Sequence, residues 1–350
     1  MNQKRLITIL KVTTPFILGG AILYWMFRNF DFKSMEKVLF EEMNWWWMLL
    51  SFPFGILAQA FRGWRWKQTL EPIGENPRTS TTIYSIFISY AASLVVPRIG
   101  EFTRCGVLKR WEGTSFPKAL GTVVTERAVD SLLILILTLL TFLSQIPVFL
   151  TFFSHTGTRF DEIFGMFTTT GYIVTIICGI AIIISLYSVR KKLSFYDKVK
   201  ATLHGVIEGV MSLRGVKNIP LFLFYSIAIW ASYFLHYYLT FFCFSGTANL
   251  GITCAMVTFI VGSIAVLVPT PNGAGPWHFA VKTMLILYGV ADNEALYFVL
   301  IVHTVQTLLV IAIGVYAWAA LALKERRPLP PPSPVGREPE GNGIFTKSEE

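Results

Sequence analysis

Long apolar runs recur along the whole chain, and short polar stretches separate them. They lie at 12–28, 43–61, 80–96, 117–147, 171–189, 219–245, 252–268 and 294–322, with a further apolar piece at 277–290. A helix needs about 20 predominantly apolar residues to span the hydrocarbon core of a bilayer. The pattern therefore predicts an all-α polytopic membrane protein with about eight membrane segments.

The composition strengthens this prediction. Of the 350 residues, 53% are hydrophobic and 15% are charged, and the mean hydropathy is +0.56. Soluble domains average about 25% charged residues, so a disordered chain, a fibrous repeat and an ordinary soluble enzyme are excluded. The net charge is +9. In a membrane protein this excess indicates basic cytoplasmic loops and an anionic lipid partner rather than a nucleic acid.

No motif predicts a metal or a cofactor. The four cysteines lie apart without a CxxC pair, so we expect small core residues rather than metal ligands or disulfides. A Walker loop, HExxH, a GxSxG with partners and a Rossmann fingerprint are all missing, which argues against ATP-driven transport by this chain alone. No small-residue cleavage site follows the run at 12–28, so it predicts an uncleaved span.

Lys and Arg positions conflict with eight plain spans. The N-terminus and the loop predicted at 62–79 are basic and belong in the cytoplasm. That loop carries Arg62, Arg65, Lys67 and Arg78. If 80–96 crossed the membrane, the basic stretch 98–118 would lie outside. A re-entrant hairpin removes the conflict, because 80–96 then enters from the cytoplasm, turns near 97–100 and returns through 101–111.

The same rule gives a second hairpin in the other half of the chain. The run 252–268 enters from outside, turns at 269–276 and leaves through 277–290. The result is six full spans plus two re-entrant helical hairpins in an inverted repeat, a pattern typical of transporters. Eight plain spans with one loop that violates the charge rule is the alternative.

This topology defines the predicted domain organisation. One transmembrane domain covers 1–323, with halves at about 1–150 and 171–323, and both termini are cytoplasmic. The turns Val95-Val96-Pro97 and Leu267-Val268-Pro269 are similar. We further expect an amphipathic surface helix at 190–217 and a disordered Pro-rich tail at 324–350. A GxxxG motif at 205–209 is a weak indication of a homodimer.

The first turn carries the densest candidate site. Gly100 permits a tight turn, and a helix that starts there would present free backbone N–H groups to an anion. Arg98 and Arg104 add guanidinium groups suited to phosphate, and Glu101 would hold one of them in place. The alternative is an Arg–Glu pair that only fastens the hairpin together.

A second acidic and basic group follows on the next predicted helix. Glu126 and Asp130 are four residues apart and share a face, with Arg127 between them. The apolar run 131–144 spans about 21 Å of helix, which places Asp130 several ångströms inside the hydrocarbon core. An ion cluster that caps the cytoplasmic end of the span is the equally open alternative.

The second turn contains no charge. Ligand binding there would use Thr270, Asn272 and backbone N–H groups around Gly273 and Gly275. His278 follows the turn, and a lone histidine is more often a packing residue than a ligand. A proton relay would also involve other intramembrane polar residues, and these are His236, His303 and Gln306.

Three motifs in order give a family resemblance over residues 5–323. They are PRIGEFxR at 97–104, ERxxD at 126–130 and PTPNGAG at 269–275. The chain resembles the lysylphosphatidylglycerol synthase transmembrane-region family, the flippase-like integral membrane proteins. The resemblance implies an eight-segment membrane domain with two re-entrant hairpins that handles anionic lipids or lipid-linked sugars. It assigns the ligand-handling residues to Arg98, Glu101, Arg104, Glu126, Arg127 and Asp130.

Two departures from the family pattern affect the expected function. The family commonly has an acidic residue soon after the second turn, where this chain has His278. The bifunctional synthases also carry a large soluble aminoacyl-transferase domain, whereas 27 residues follow Leu323 here. We therefore expect that this chain is not a complete lysyl-lipid synthase.

These observations lead to a non-enzymatic flippase or transporter of a bacterial cytoplasmic membrane. The substrate would be an anionic phospholipid or a polyprenyl-phosphate-linked intermediate. Its phosphate would lie between the two turns, neutralised by Arg98, Arg104 and Arg127. The alternatives are a membrane-embedded enzyme or enzyme partner acting on lipid-linked sugars or aminoacyl-lipids, and a passive scaffold.

Overall fold

The computed structural model describes residues 16–28, 31–146, 212–268 and 270–324, and every regular element in these ranges is a helix. The first half contains α1 (Phe16–Phe27), α2 (Phe32–Lys37), α3 (Trp45–Leu70), α4 (Thr79–Val95), α5 (Ile99–Glu112) and α6 (Phe116–Ser144). The second half contains α7 (Ile219–Tyr238), α8 (Gly251–Ala265), α9 (Pro276–Leu287) and α10 (Asp292–Ala322). Short helical turns occur at Val38–Glu42, Glu71–Ile73, Ser212–Gly215, Leu239–Cys243, Ser245–Ala248 and Pro271–Gly273.

Three of the described helices are long and apolar enough to cross a membrane. They are α6, the segment Ile219–Cys243 that includes α7, and α10. The shorter helices α1 and α8 are also apolar. Helix α6 exposes a row of leucines on its outer surface, namely Leu132, Leu135, Leu139, Leu140 and Leu143. An apolar surface of this kind is stable in lipid but not in water, which agrees with the predicted multi-pass membrane protein.

Helices α4 and α5 form a tight antiparallel hairpin. Three residues, 96–98, connect them, so the chain reverses within one turn. Gly100 makes this approach feasible, because a Cβ there would lie 2.2 Å from the carbonyl oxygen of Ser89. At the open end, Arg78 Nε donates to Glu112 Oε1 at 2.7 Å. The predicted helical reversal after 80–96 is therefore present.

Helices α8 and α9 form the second hairpin, with the turn in residues 266–275. Val257 and Met284 pack together near its open end. Asn272 and Gly273 adopt left-handed backbone conformations with φ values of 53° and 70°. Pro269, the predicted helix stop in this turn, lies outside the described residues.

The helix packing in the two halves follows one scheme. Helix α3 packs against α7, and these two helices occupy equivalent places in the predicted repeat. Helix α4 of the first hairpin packs against α10, and α8 of the second hairpin packs against α6. The returning helices do the same within their own halves, because α5 packs on α6 and α9 packs on α10. The contacts of the two hairpins named here thus have counterparts in the other half.

The structure corrects the predicted position of one loop. The predicted start of the loop at 62–79 is wrong, because α3 continues as a helix to Leu70 and the connection to α4 begins only after it. This extra length of α3 buries Arg62 and Arg65 against the Asp130 carboxylate of α6. Helix α6 has Pro117 in its first turn, and the preceding Ser115 side chain makes no capping hydrogen bond. Cys105, Cys243 and Cys254 are buried free thiols, as predicted.

Several predictions fall on parts of the chain that the structure does not describe. They concern the segment 171–189, the GxxxG at 205–209, Cys178, the Pro-rich tail from 325 onward and most of the amphipathic helix at 190–217.

Candidate functional site

A buried ion cluster joins three helices. Arg62 and Arg65 of α3 both donate hydrogen bonds to the Asp130 carboxylate of α6, Arg65 through Nη2 at 2.7 Å. Arg104 of α5 reaches the same helix and donates from Nη1 to Glu126 Oε2 at 2.6 Å. All five side chains are buried. The cluster thus holds the first hairpin and α3 against α6 by charge-assisted hydrogen bonds.

Helical spacing explains why these side chains meet. Arg62 and Arg65 are three residues apart on α3, and Glu126 and Asp130 are four apart on α6, so each pair projects from one face. Trp66 contacts the cluster through a cation–π interaction, because the Arg104 guanidinium lies 4.5 Å from the centre of the Trp66 ring. The Trp66 Nε1–H in turn donates to Thr122 Oγ1 at 2.8 Å.

Arg127 and Glu101 extend the cluster toward the surface. Arg127 Nε lies 3.4 Å from Glu101 Oε1, and its Nη2 lies 3.6 Å from Asp130 Oδ2. The Arg127 side chain is 41% exposed, whereas the Arg65 side chain is fully buried. Arg127 is therefore the most accessible guanidinium of the cluster.

The cluster carries an excess of positive charge. Four guanidinium groups face three carboxylates, those of Glu101, Glu126 and Asp130. Four buried guanidinium nitrogens make no hydrogen bond among the described residues, and these are Arg62 Nε, Arg65 Nε, Arg104 Nη2 and Arg127 Nε. Two of them still face a carboxylate oxygen, because Arg65 Nε lies 3.5 Å from Glu126 Oε1 and Arg127 Nε lies 3.4 Å from Glu101 Oε1. The surplus of one guanidinium over the carboxylates makes this region electropositive, so it favours the binding of an anion.

Arg98 lies at the tip of the first hairpin. It is exposed and has a left-handed backbone conformation, with φ of 64°. Its Nη2 donates to the carbonyl oxygen of Leu267 in the second hairpin at 3.3 Å. The predicted free N–H at Gly100 is wrong, because that N–H donates to Ser93 Oγ at 3.2 Å. Gly100 therefore serves the close packing of α4 and α5.

Asn272 fixes the second turn to α10. Its Nδ2 donates to Thr307 Oγ1 at 2.7 Å, and the nearby His303 Nε2 lies 3.1 Å from the Asn272 carbonyl oxygen. Thr270 is buried, and its hydroxyl has no partner among the residues described. Gly275 lies against α1, since a Cβ there would be 2.9 Å from the Gly19 carbonyl oxygen.

His278 belongs to a small aromatic group behind this turn. Its Nδ1 accepts a hydrogen bond from the Gly275 N–H at 3.4 Å, and its ring centre lies 4.4 Å from that of His303. His236 makes a different contact, in which its Nδ1 lies 2.8 Å from the Ser51 carbonyl oxygen. Gln306 Nε2 donates to the His236 carbonyl oxygen at 3.4 Å. Two of the histidines considered for a relay are thus adjacent.

The residues selected from the sequence therefore fall into two groups. One contains Glu101, Arg104, Glu126, Arg127 and Asp130. The other contains Asn272, Gly273, Gly275 and His278 around the second turn. Arg98 donates a hydrogen bond from the first hairpin to the backbone of the second, and α4 also packs against the second turn. Sequence reasoning missed Arg62 and Arg65, whose i, i+3 spacing matches that of a helix face.

Membrane-length apolar helices around a buried ion cluster define a multi-pass membrane protein. The family model for the lysylphosphatidylglycerol synthase TM region matches residues 12–314. The chain belongs to this family, which places it among membrane proteins of lipid metabolism or transport. Neither the comparison with curated proteins nor that with solved structures gave a match.

Proposed function

We propose that this protein moves an anionic lipid, or a lipid-linked intermediate with a phosphate group, across a membrane without altering it chemically. The observation that carries the proposal is the electropositive ion cluster at the first hairpin. A phosphate would supply the missing negative charge and accept hydrogen bonds from the accessible guanidinium groups of Arg98 and Arg127. Charge inside a membrane protein is costly and commonly marks a substrate pathway.

The geometry divides the arginines into two roles. Arg104 is buried, pairs with Glu126 and stacks on Trp66, so its role in this proposal is to hold the cluster together. Arg98 and Arg127 are the accessible groups and would contact the phosphate. Glu101 would position Arg127, and Asp130 would keep Arg62 and Arg65 in place.

The equivalent helix contacts in the two halves support an inverted repeat with two re-entrant hairpins. In this arrangement the hairpin tips would meet near the middle of the membrane, where Arg98 contacts the second turn. Substrate movement would follow from rocking one half against the other around that contact, while the lipid tails remain in the bilayer.

We also propose cytoplasmic termini in a bacterial inner membrane, and Lys and Arg positions support this orientation for the C-terminal end of α10. Lys324, at the end of α10, donates to Ser80 Oγ at 2.5 Å and to Thr81 Oγ1 at 3.1 Å at the start of α4. This end of the bundle also carries the basic residues of α5, Lys109 and Arg110. The positive-inside rule assigns it to the cytoplasm.

A leaflet-accessibility assay tests the proposal. The full chain is reconstituted into liposomes with fluorescent phosphatidylglycerol, and reduction of the label from outside measures exchange between leaflets. We expect exchange well above that of empty liposomes and a loss of about tenfold or more in an Arg98→Asn, Arg127→Gln double variant. Lys109→Gln, on the exposed side of α5, is the control and should exchange lipid at the unchanged rate.

Two results would contradict the proposal. Exchange equal to that of empty liposomes would favour the scaffold alternative, and equal exchange by the double variant would exclude these arginines. Mass spectrometry of the recovered lipids separates transport from the enzymatic alternative. Protein-dependent conversion of the lipid into a new species would show an enzyme.

A further inference from the structure

A separate cavity of about 420 Å³ lies at the other end of α10. Its lining comes from α1, α9 and the start of α10, and includes Trp25, Arg28, Phe279, Lys282 and Asp292. None of these residues belongs to the ion cluster or to the two hairpin turns. The cavity is large enough for the headgroup of a phospholipid, because ligand pockets start at about 300 Å³.

The length of α10 fixes where this cavity lies. The helix has 31 residues, which corresponds to about 46 Å, and the hydrocarbon core is about 30 Å thick. Its C-terminal end is the basic end with Lys324, so its N-terminal end with Asp292 reaches the opposite headgroup layer. Trp25 and Phe279 are exposed, with ring centres 6.3 Å apart. Trp25 lies near the end of α1, and an exposed tryptophan near a helix end is typical of the membrane–water interface.

The charges in the cavity leave one cation without a carboxylate. Lys282 Nζ lies 2.8 Å from Asp292 Oδ1, and the Lys282 side chain is 17% exposed. Arg28 is exposed and contacts no carboxylate in the part of the chain that is described. Two cations against one anion give the cavity a net positive charge, and a guanidinium beside an ammonium group suits a phosphate.

We infer that this cavity binds the phosphate group of an anionic phospholipid in the outer leaflet. Arg28 would contact the phosphate, Lys282 would share its charge between the phosphate and Asp292, and Trp25 with Phe279 would contact the glycerol and the first methylenes. The assignment to the outer leaflet rests on the proposed function, whereas anion binding by the cavity does not. The cavity would then be a second lipid site, separate from the ion cluster.

Local crosslinking tests this site without interference from the ion cluster. A photoreactive benzoylphenylalanine replaces Thr283, which also lines the cavity. The full chain is placed in nanodiscs that contain phosphatidylcholine with a minor fraction of phosphatidylglycerol. Mass spectrometry identifies the crosslinked lipid, and we expect phosphatidylglycerol to be enriched over its share of the bilayer.

Removing a cation and removing the anion should change the crosslinking in opposite directions. Lys282→Gln and Arg28→Gln should each lower phosphatidylglycerol crosslinking about tenfold, because each removes a cation. Asp292→Asn should raise it about threefold, since Lys282 would no longer be shared. A purely structural pair would give losses in both Lys282→Gln and Asp292→Asn, and that result would overturn the inference. Lys33→Gln, on α2 and outside the cavity, should have no effect.

Competition identifies the source of the phosphate. Short-chain phosphatidylglycerol should compete, and short-chain phosphatidylcholine should not. Competition by millimolar inorganic phosphate at equal strength would support the anion site but assign it to free phosphate. Unchanged crosslinking in both Arg28→Gln and Lys282→Gln would overturn the site. Because these residues lie away from Arg98 and Arg127, the site and the transport proposal can fail independently.

Discussion

The Arg98 guanidinium donates a hydrogen bond to the backbone carbonyl oxygen of Leu267 across 3.3 Å. This bond joins the tips of two hairpins that are separated by more than 160 residues of sequence. The acceptor belongs to the backbone, so the contact depends on the position of the second turn and not on the side chain at 267. The length of this hydrogen bond therefore depends directly on the distance between the two hairpin tips.

Replacing Arg98 by Asn removes the positive charge but allows the left-handed backbone conformation at this position to remain. Asn tolerates the left-handed conformation at φ 64°, so the turn should remain intact. We expect the midpoint of thermal unfolding in detergent to stay the same and lipid exchange in proteoliposomes to fall. Arg98→Val serves as the comparison, because a β-branched residue is strained at this φ and should also lower the unfolding midpoint. A stable variant with normal lipid exchange would refute the role of the guanidinium.

Gly100 should not tolerate even a methyl group. A Cβ there would lie 2.2 Å from Ser89 O and 2.4 Å from Ser93 Oγ, so Gly100→Ala should push α4 and α5 apart at a cost of about 1–3 kcal/mol. Gly106 on the same helix provides the matched control, because nothing lies within 4 Å of its added Cβ. Gly106→Ala should stabilise the protein by up to about 1 kcal/mol. Equal unfolding midpoints for the two variants would contradict the close packing.

Neutralising Glu126 should destabilise the whole bundle. Glu126→Gln leaves Arg104 without its carboxylate at 2.6 Å, and removing one partner of a buried pair costs about 3–5 kcal/mol. Glu71→Gln is the control, because its Lys67 partner is 3.9 Å away and both side chains are partly exposed, so the loss should be about 0–1 kcal/mol. Thermal unfolding of both variants in the same detergent measures the difference. A comparable effect of the two substitutions would mean that the cluster is not a stabilising element.

Asn272 combines a left-handed backbone with a side-chain hydrogen bond to Thr307. Asn272→Gly keeps the backbone conformation and loses only the hydrogen bond, which should cost about 1 kcal/mol. Asn272→Ala loses both, and the strained φ should add about 1–2 kcal/mol. The midpoint of thermal unfolding should therefore be highest for the native protein, lower for Asn272→Gly and lowest for Asn272→Ala. The reverse order for Gly and Ala would show that backbone conformation is not limiting at this turn.

The helical hairpins could be predicted because the positions of basic residues and of turn-forming residues can be read directly from the sequence. Lys109 and Arg110 had to return to the side from which the run 80–96 started, and Gly100 allowed the reversal. The partner of Gly100 could not be predicted. Its N–H binds Ser93 Oγ because the two helices touch, and only the packed hairpin determines that distance.

Arg62 and Arg65 show where counting charges along the sequence fails. The positive-inside rule treats every Arg as a loop residue. Yet the stretch from Arg62 to Leu70 contains no proline, and the first proline after it is Pro72. Their carboxylate partners lie more than 60 residues later, on α6. The sequence does show that Arg62 and Arg65 share a face of α3 and that Glu126 and Asp130 share a face of α6. It does not show that these two faces meet, because that contact depends on the tertiary structure.

The contact between α1 and the second turn is made by backbone on both sides. A Cβ on Gly19 would lie 2.9 Å from the Ala274 carbonyl oxygen, and one on Gly275 would lie 2.9 Å from the Gly19 carbonyl oxygen. Neither obstacle is a side chain, so trimming a neighbour cannot make room for a methyl group at either position. Second-site suppressors of Gly19→Ala should therefore be found among residues that let α1 shift as a unit, and not among the residues that it touches.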